Sequence, residues 1–169
     1  MEGLNIKEKQ QCGFQLHHKY HALSVSLFDI FKLTVGTVNT KALAHLATVA
    51  GESLNKHLGK IFSPIVTSLS MKLFTDRQPE EMENAVMVLD SVIDESGSQL
   101  ILDVLLQRHY ESKQIEIASA ILLSYFVQNS KVPLSDSFGQ IIRGCLNFYT
   151  SEDKAVINPA TEALSSIVK

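Results

Sequence analysis

A short helical motif recurs four times along this chain and constrains its fold more than any other feature. In each copy an Ala is followed by Leu four residues later and by Val, Tyr or Ile seven residues later, which places all three side chains on one helical face. The copies are Ala42-Leu46-Val49, Ala85-Leu89-Val92, Ala118-Leu122-Tyr125 and Ala160-Leu164-Ile167, and their Ala residues lie 43, 33 and 42 positions apart. Recurrence at about forty residues is typical of stacked helical hairpins of the HEAT or armadillo type. We therefore predict an all-α solenoid.

The helix signals divide the chain into a polar tail and one solenoid segment. We expect residues 1–13 to be disordered, and residues 14–169 to form a leading helix over residues 14–33, three full hairpins and an unpaired trailing helix. The residues that favour helix starts are Asn39 or Thr40, Ser53, Pro79, Ser112 and Ser151.

Other signals indicate where helices end or break. Pro64 predicts a kink or two short helices, and Pro159 predicts an interruption of the last helix or its true first turn. We expect one helix to end near Asp94, with Gly97 in the following turn and the next helix over residues 99–109.

Composition excludes several classes of protein. The chain is 45% hydrophobic and 20% charged, which is ordinary for a soluble protein. Its net charge of −3 gives no overall attraction to nucleic acid or anionic membranes, and we expect no direct DNA binding. The longest apolar run, residues 117–127, is about half of the roughly 20 residues that a membrane span needs. With no secretory signal at residues 1–7, the sequence predicts a cytoplasmic protein.

Reactive side chains occur without the context that catalysis requires, so we expect no enzyme and no cofactor. No Ser or Cys has a base partner or a glycine-rich turn, and no phosphate-binding loop is present. His17 and His21 have the spacing of a two-histidine site but lack further ligands nearby, so we expect no metal. Cys145, among apolar neighbours, is interpreted as a small buried residue.

Two sets of residues are candidates for binding partners. Lys56, Lys60 and Arg143 lie on second helices of hairpins, which line the concave face of a solenoid, and could form a weak basic track. Solubilising charge is the alternative interpretation. Leu164 and Ile167 form an apolar face on the trailing helix, whose partner we expect either in a longer solenoid or through association of the ends.

The stretch that begins Lys32-Leu33-Thr34-Val35 and continues to Gly51 resembles the general control nonderepressible one family of large HEAT-repeat translational activators. His57-Leu58-Gly59 and residues 118–125 add to the resemblance, which covers residues 32–169 and excludes about the first 26. Gly36-Thr37 stands where the family has prolines. The resemblance implies a cytoplasmic scaffold that binds translating, often stalled, ribosomes. It also implies that the scaffold acts together with an ABC-class ATPase partner and recruits the starvation-responsive kinase that phosphorylates initiation factor two alpha.

Three hypotheses for the function follow. The first is a non-catalytic scaffold of translational control that binds ribosomes or proteins through its helical surfaces. The second is a purely structural spacer, or a fragment that self-associates through its ends. The third is a generic HEAT adaptor of the transport-receptor or phosphatase-scaffold kind.

Overall fold

The computed structural model of the chain describes residues 39–50 and 57–168, which belong to one compact unit beginning at Asn39. This part of the chain contains seven α-helices and no strand, so the all-α prediction is confirmed. The helices are α1 (Thr40–Ala50), α2 (Leu58–Lys72), α3 (Gln78–Asp90), α4 (Glu95–Leu105), α5 (Lys113–Asn129), α6 (Phe138–Phe148) and α7 (Lys154–Ile167). A 3-10 turn, Ser135–Ser137, leads into α6. The predictions for residues 14–33, for Ser53 and for the His17 and His21 pair lie outside the described residues.

The helices alternate between two layers. The first layer contains α1, α3, α5 and α7, and the second contains α2, α4 and α6. Side-chain hydrogen bonds between helices of the same layer join residues 35 to 44 positions apart, for example Tyr125 to Asp90 and Asn84 to Thr40. This offset matches the predicted repeat of about forty residues. Because each helix bonds to its same-layer neighbour near corresponding ends, helices within a layer run parallel.

Local capping explains most helix starts. The Asn39 side chain accepts a hydrogen bond from the Ala42 backbone N–H at 3.0 Å, and Ser112 accepts one from Ile115 at 3.2 Å. Both satisfy backbone donors that a first helical turn leaves free, as predicted. Pro79 lies in the first turn of α3, also as predicted. At α7 the cap is Asp153 instead of Ser151.

The boundary between α3 and α4 differs from the prediction. Asp94 does not end a helix. It lies in an extended conformation before α4, and its carboxylate accepts a 2.7 Å hydrogen bond from the Gly97 backbone N–H. Gly97 is therefore buried in the first turn of α4 and does not belong to a connecting turn. The expectation of a helix over residues 99–109 was wrong by four residues at each end, because an Asp N-cap resembles the acidic end of the preceding helix in sequence.

Two prolines lie inside helices without ending them. Pro64 is within α2 and Pro159 within α7, so α2 is not divided into two helices and the predicted interruption of α7 was wrong. Each proline removes one backbone hydrogen bond. Buried apolar residues next to both positions, such as Ile65 and Ala160, hold the helices against their neighbours and offset this loss.

The core consists of the inward faces of both layers. In the second copy of the motif, Ala85, Leu89 and Val92 are all buried, and so are Ala118, Leu122 and Ala160 from the later copies. The first copy was assigned to the wrong face, because α1 buries Leu43, Ala44 and Ala47 whereas Val49 is 87% exposed. In α1, small and apolar residues occupy adjacent faces, so the spacing alone did not fix which face packs.

Candidate interaction surfaces

The cations predicted to form a basic track do not lie together. Lys60 is exposed on α2 and Arg143 is exposed on α6, both in the second layer as expected. Helix α4 lies between them and carries no Lys or Arg. Lys56 lies outside the described residues. Whether these side chains bind a partner stays a prediction.

The surface between the two cations is polar and partly acidic. Asp103 of α4 is exposed and accepts hydrogen bonds from the side-chain amides of Gln99, at 2.8 Å, and Gln140, at 3.1 Å. Gln99 also donates to Gln140 at 2.9 Å. A polyanion crossing this face would therefore meet a carboxylate between Lys60 and Arg143, so any contact with phosphates is divided into two separate points.

The trailing end of the stack exposes a larger apolar surface on α6 than on α7. Leu164 and Ile167, the predicted end-association residues, are each half-buried, and their role in association stays a prediction. On α6 and its C-cap residue Tyr149 a row of exposed apolar residues, here called the α6 stripe, follows helical spacing. It consists of Phe138, Ile142, Leu146 and Tyr149.

The opposite side of α6 packs on α4. Gly144 lies against Leu106, and the Asn147 side chain donates to the backbone carbonyl of Gln107 at 3.5 Å. The α6 stripe therefore occupies the side where a further second-layer helix would stack, as α6 itself stacks on α4. The recurring Ala-Leu motif does not include this stripe. The spacing of residues 138, 142, 146 and 149 in the sequence could have predicted it.

The loops that precede the first-layer helices form one edge of the stack, here called edge A. It consists of residues 73–77, 106–112 and 149–153. An open cleft of about 500 Å³ lies between the second and third of these loops and is lined by Arg108, His109, Glu111, Lys113 and Thr150, among others. Lys113 donates to Glu116 at 2.8 Å and also contacts Ser151. Because cations and carboxylates alternate here, the cleft has no single sign of charge to select an ion.

Two titratable side chains near this cleft are built into the core. Burial raises the pKa of the Cys145 thiol to about 11, which keeps the sulfur protonated and unreactive at neutral pH, in line with its predicted role. Burial also raises the pKa of Tyr110, whose hydroxyl donates to the Leu105 carbonyl at 2.7 Å while its ring stacks on Phe148.

Within residues 39–50 and 57–168, no group of three or more metal-ligating side chains comes together.

Two exposed apolar side chains lie where α2 ends and the first loop of edge A begins. Phe74 is 78% exposed and Met71 is 72% exposed, and Phe74 has a backbone φ of 66°. Neither side chain is among the residues that the sequence analysis singles out. The signal available was a Phe two residues after a helix end, where glycine is the common residue.

Parallel helices in two layers, repeated every forty residues, define this chain as a HEAT-repeat protein. No helix in the part of the chain that the structure describes has the length and apolar character to cross a membrane. The family described as "Stalled ribosome sensor GCN1-like, HEAT repeats" matches residues 30–169. The chain belongs to this family.

Named relatives agree with this assignment. The mouse and human proteins named "Stalled ribosome sensor GCN1" are 33% and 32% identical over 140 residues, which is 82% of this chain and 5% of each relative. The Dictyostelium discoideum protein named "eIF-2-alpha kinase activator GCN1" is 26% identical over 148 residues, 87% of this chain and 6% of that protein. The chain thus spans about a twentieth of these relatives. No solved structure matches it significantly.

Proposed function

We propose that this chain is a non-catalytic HEAT-repeat segment that binds ribosomes in the cytoplasm and promotes activation of the kinase that phosphorylates initiation factor two alpha. The observation that carries this proposal is the match of residues 30–169 to the GCN1-like HEAT repeats, together with the parallel stacking of the helices. Relatives are named for sensing stalled ribosomes and for activating this kinase. Partnership with an ABC-class ATPase rests on the family resemblance alone.

The proposed contact with ribosomal RNA uses Lys60 and Arg143, with Lys56 as a third cation. Both described residues are exposed and have no ion-pair partner among the described residues. Since α4 separates them, each would contact a different phosphate. Single substitutions should therefore weaken binding independently, and their free energies should add.

Co-sedimentation of the purified chain with ribosomes over a salt series tests this proposal. We expect pelleting to fall as salt rises, because contacts with phosphates release counterions. Replacing Lys56, Lys60 and Arg143 by Glu should reduce the slope of log affinity against log salt by about two to three units. Lys41→Glu is the matched control, since Lys41 is an exposed lysine of the first layer. A folded chain that stays in the supernatant at low salt would refute ribosome binding.

The α6 stripe supports a second candidate, a structural segment that stacks on further helices or on another copy. Contiguous apolar exposure on a helix face is typical of an interface. Sedimentation should therefore report association that Ile142→Lys with Leu146→Lys abolishes. The double variant Leu164→Lys with Ile167→Lys tests whether α7 contributes to the same association. A monomeric wild-type chain at high micromolar concentration would exclude self-association and leave the spacer role.

A further inference from the structure

Phe74 has a backbone conformation that its side chain disfavours. Its φ of 66° lies in the left-handed region, and no other non-glycine residue in the described part of the chain has a positive φ. It follows Leu73, the residue after the end of α2, at a position where glycine usually terminates a helix because it has no Cβ. The conformation is held by the Thr75 N–H, which donates to the Lys72 carbonyl at 3.0 Å, and by the Gln78 side chain, which accepts from the Phe74 N–H at 3.2 Å.

The Phe74 ring packs little against the rest of the fold, so core packing does not account for its left-handed conformation. It is 78% exposed, whereas the neighbouring Leu73 is buried and supplies the apolar contact of this loop with the core. Met71, three residues earlier on α2, is 72% exposed. Backbone strain that no packing requires is often found where a side chain binds something. The last turn of α2 and the loop after it therefore expose a thioether and an aromatic side chain to solvent.

The charges around this pair favour a protein over a nucleic acid as the partner. Lys72 and Arg77 flank Phe74, and within residues 39–50 and 57–168 neither forms an ion pair. Asp76 lies between them, and Glu80, Glu111 and Glu152 alternate along the edge with Arg108 and Lys113, so the opposite charges balance. A phosphate backbone needs a surplus of cations, which edge A lacks. Aromatic, Met and Arg side chains are enriched at the centres of protein interfaces.

We propose that Phe74 and Met71 anchor this chain to a protein on the ribosome surface. Phe74 inserts into an apolar pocket of that protein, and a carboxylate at the rim of the pocket pairs with Arg77. This inference rests on the proposed ribosome binding and adds to it a second contact, on edge A, apart from the cations of the second layer.

Site-specific photo-crosslinking of the full chain to purified ribosomes tests the anchor. The photoreactive residue p-benzoylphenylalanine replaces Phe74, or Ile93 as a control, since Ile93 is 54% exposed in the loop between α3 and α4 on the opposite edge. We expect a crosslinked species from position 74, but not from position 93, whose size does not change on ribonuclease treatment. A crosslink from position 74 to ribosomal RNA would overturn the choice of a protein partner.

Pelleting of the same samples separates the two proposals. If the chain pellets with ribosomes but position 74 gives no crosslink, the anchor is wrong and ribosome binding stands. If the chain does not pellet at any salt concentration, ribosome binding itself is wrong and the anchor falls with it.

Substitution provides a test that does not depend on the crosslinker. Phe74→Gly and Phe74→Ala should each weaken ribosome binding at least tenfold, and Arg77→Glu should weaken it several-fold, whereas Ile93→Ala should not change it. Phe74→Gly is the informative variant, because it relieves the left-handed backbone and so should not unfold the chain. Full affinity in a folded Phe74→Gly variant would refute the anchor.

Discussion

Gly144 of α6 lies close to Leu106, the residue that follows α4. A Cβ added there would lie 2.4 Å from Leu106 Cδ2, 3.1 Å from Cγ and 3.2 Å from Cδ1. Carbon atoms in ordinary contact are about 3.5–4.0 Å apart, so the whole end of the Leu106 side chain must move. Gly59 of α2 provides a matched position in the same layer, because a Cβ there would lie 3.8 Å from Val104 Cγ2, an ordinary contact.

The two alanine substitutions should therefore have opposite effects. Ala is favoured over Gly inside a helix by about 1 kcal/mol. Overpacking at Gly144 costs about 1–3 kcal/mol, which gives a net loss of about 1 kcal/mol in the free energy of unfolding for Gly144→Ala. Gly59→Ala, in the first turn of α2, should instead gain about 0.5 kcal/mol. At about 2–4 °C per kcal/mol for a chain of this size, the thermal unfolding midpoints of the two variants should differ by several degrees.

Urea unfolding followed by circular dichroism at 222 nm measures both variants. Leu106→Ala combined with Gly144→Ala should lose less stability than the sum of the two single changes, because the smaller side chain leaves room for the new methyl group. If Gly144→Ala stabilised the chain as much as Gly59→Ala does, the Leu106 side chain would be able to adopt another rotamer without cost. The close approach of α6 to α4 would then impose no constraint.

Three further predictions concern other parts of the stack. Asn84→Ala should destabilise the fold by about 1–3 kcal/mol in urea titrations, because it removes the buried 3.2 Å hydrogen bond to Thr40. The contribution of Cys145 to the free energy of unfolding should keep its full value below pH 9 and fall by about 1–2 kcal/mol between pH 9 and 11, in addition to the loss that the raised pKa of Tyr110 causes above pH 10. The reason is that burial raises the pKa of Cys145 from 9.0 to about 11, so the native state keeps a proton that the unfolded state releases. The chain has one other cysteine, Cys12, whose thiol is removed by Cys12→Ser. In that background, Cys145→Ala should remove the part of the pH dependence that Cys145 causes. Phe74→Gly should raise the free energy of unfolding by about 0.5–1 kcal/mol, and a loss of stability would contradict the strain assigned to its φ of 66°.

The repeat could be read from the sequence because it is a local, periodic signal. Ala85, Leu89 and Val92 have the spacing of one helical face, and all three are buried. The same spacing failed for Ala42, Leu46 and Val49, since α1 carries small or apolar residues on adjacent faces. Only the neighbouring helices determine which of those faces is covered.

Helix boundaries were predictable where one capping residue dominates. Ser112 and Asn39 cap the helices that they were expected to cap. Asp94 was misread because its role depends on its own backbone conformation, φ −138° and ψ 166°, which sequence does not reveal. The prolines at positions 64 and 159 predicted breaks because the local cost of a proline can be read from sequence, whereas the packing that offsets it cannot.

The sequence by itself determined the class of fold, the repeat length and the family, because helical periodicity and motif similarity are properties of short segments. The tertiary structure alone decided which side chains remain available to partners. It separated Lys60 from Arg143 by α4, left the α6 stripe exposed opposite the contact with α4, and displayed Phe74 from a left-handed turn. The physical reason is that exposure depends on neighbouring helices about forty residues away, which no local pattern contains. The φ of Phe74 is a local feature, but its residue type disfavours it, so the sequence does not predict it.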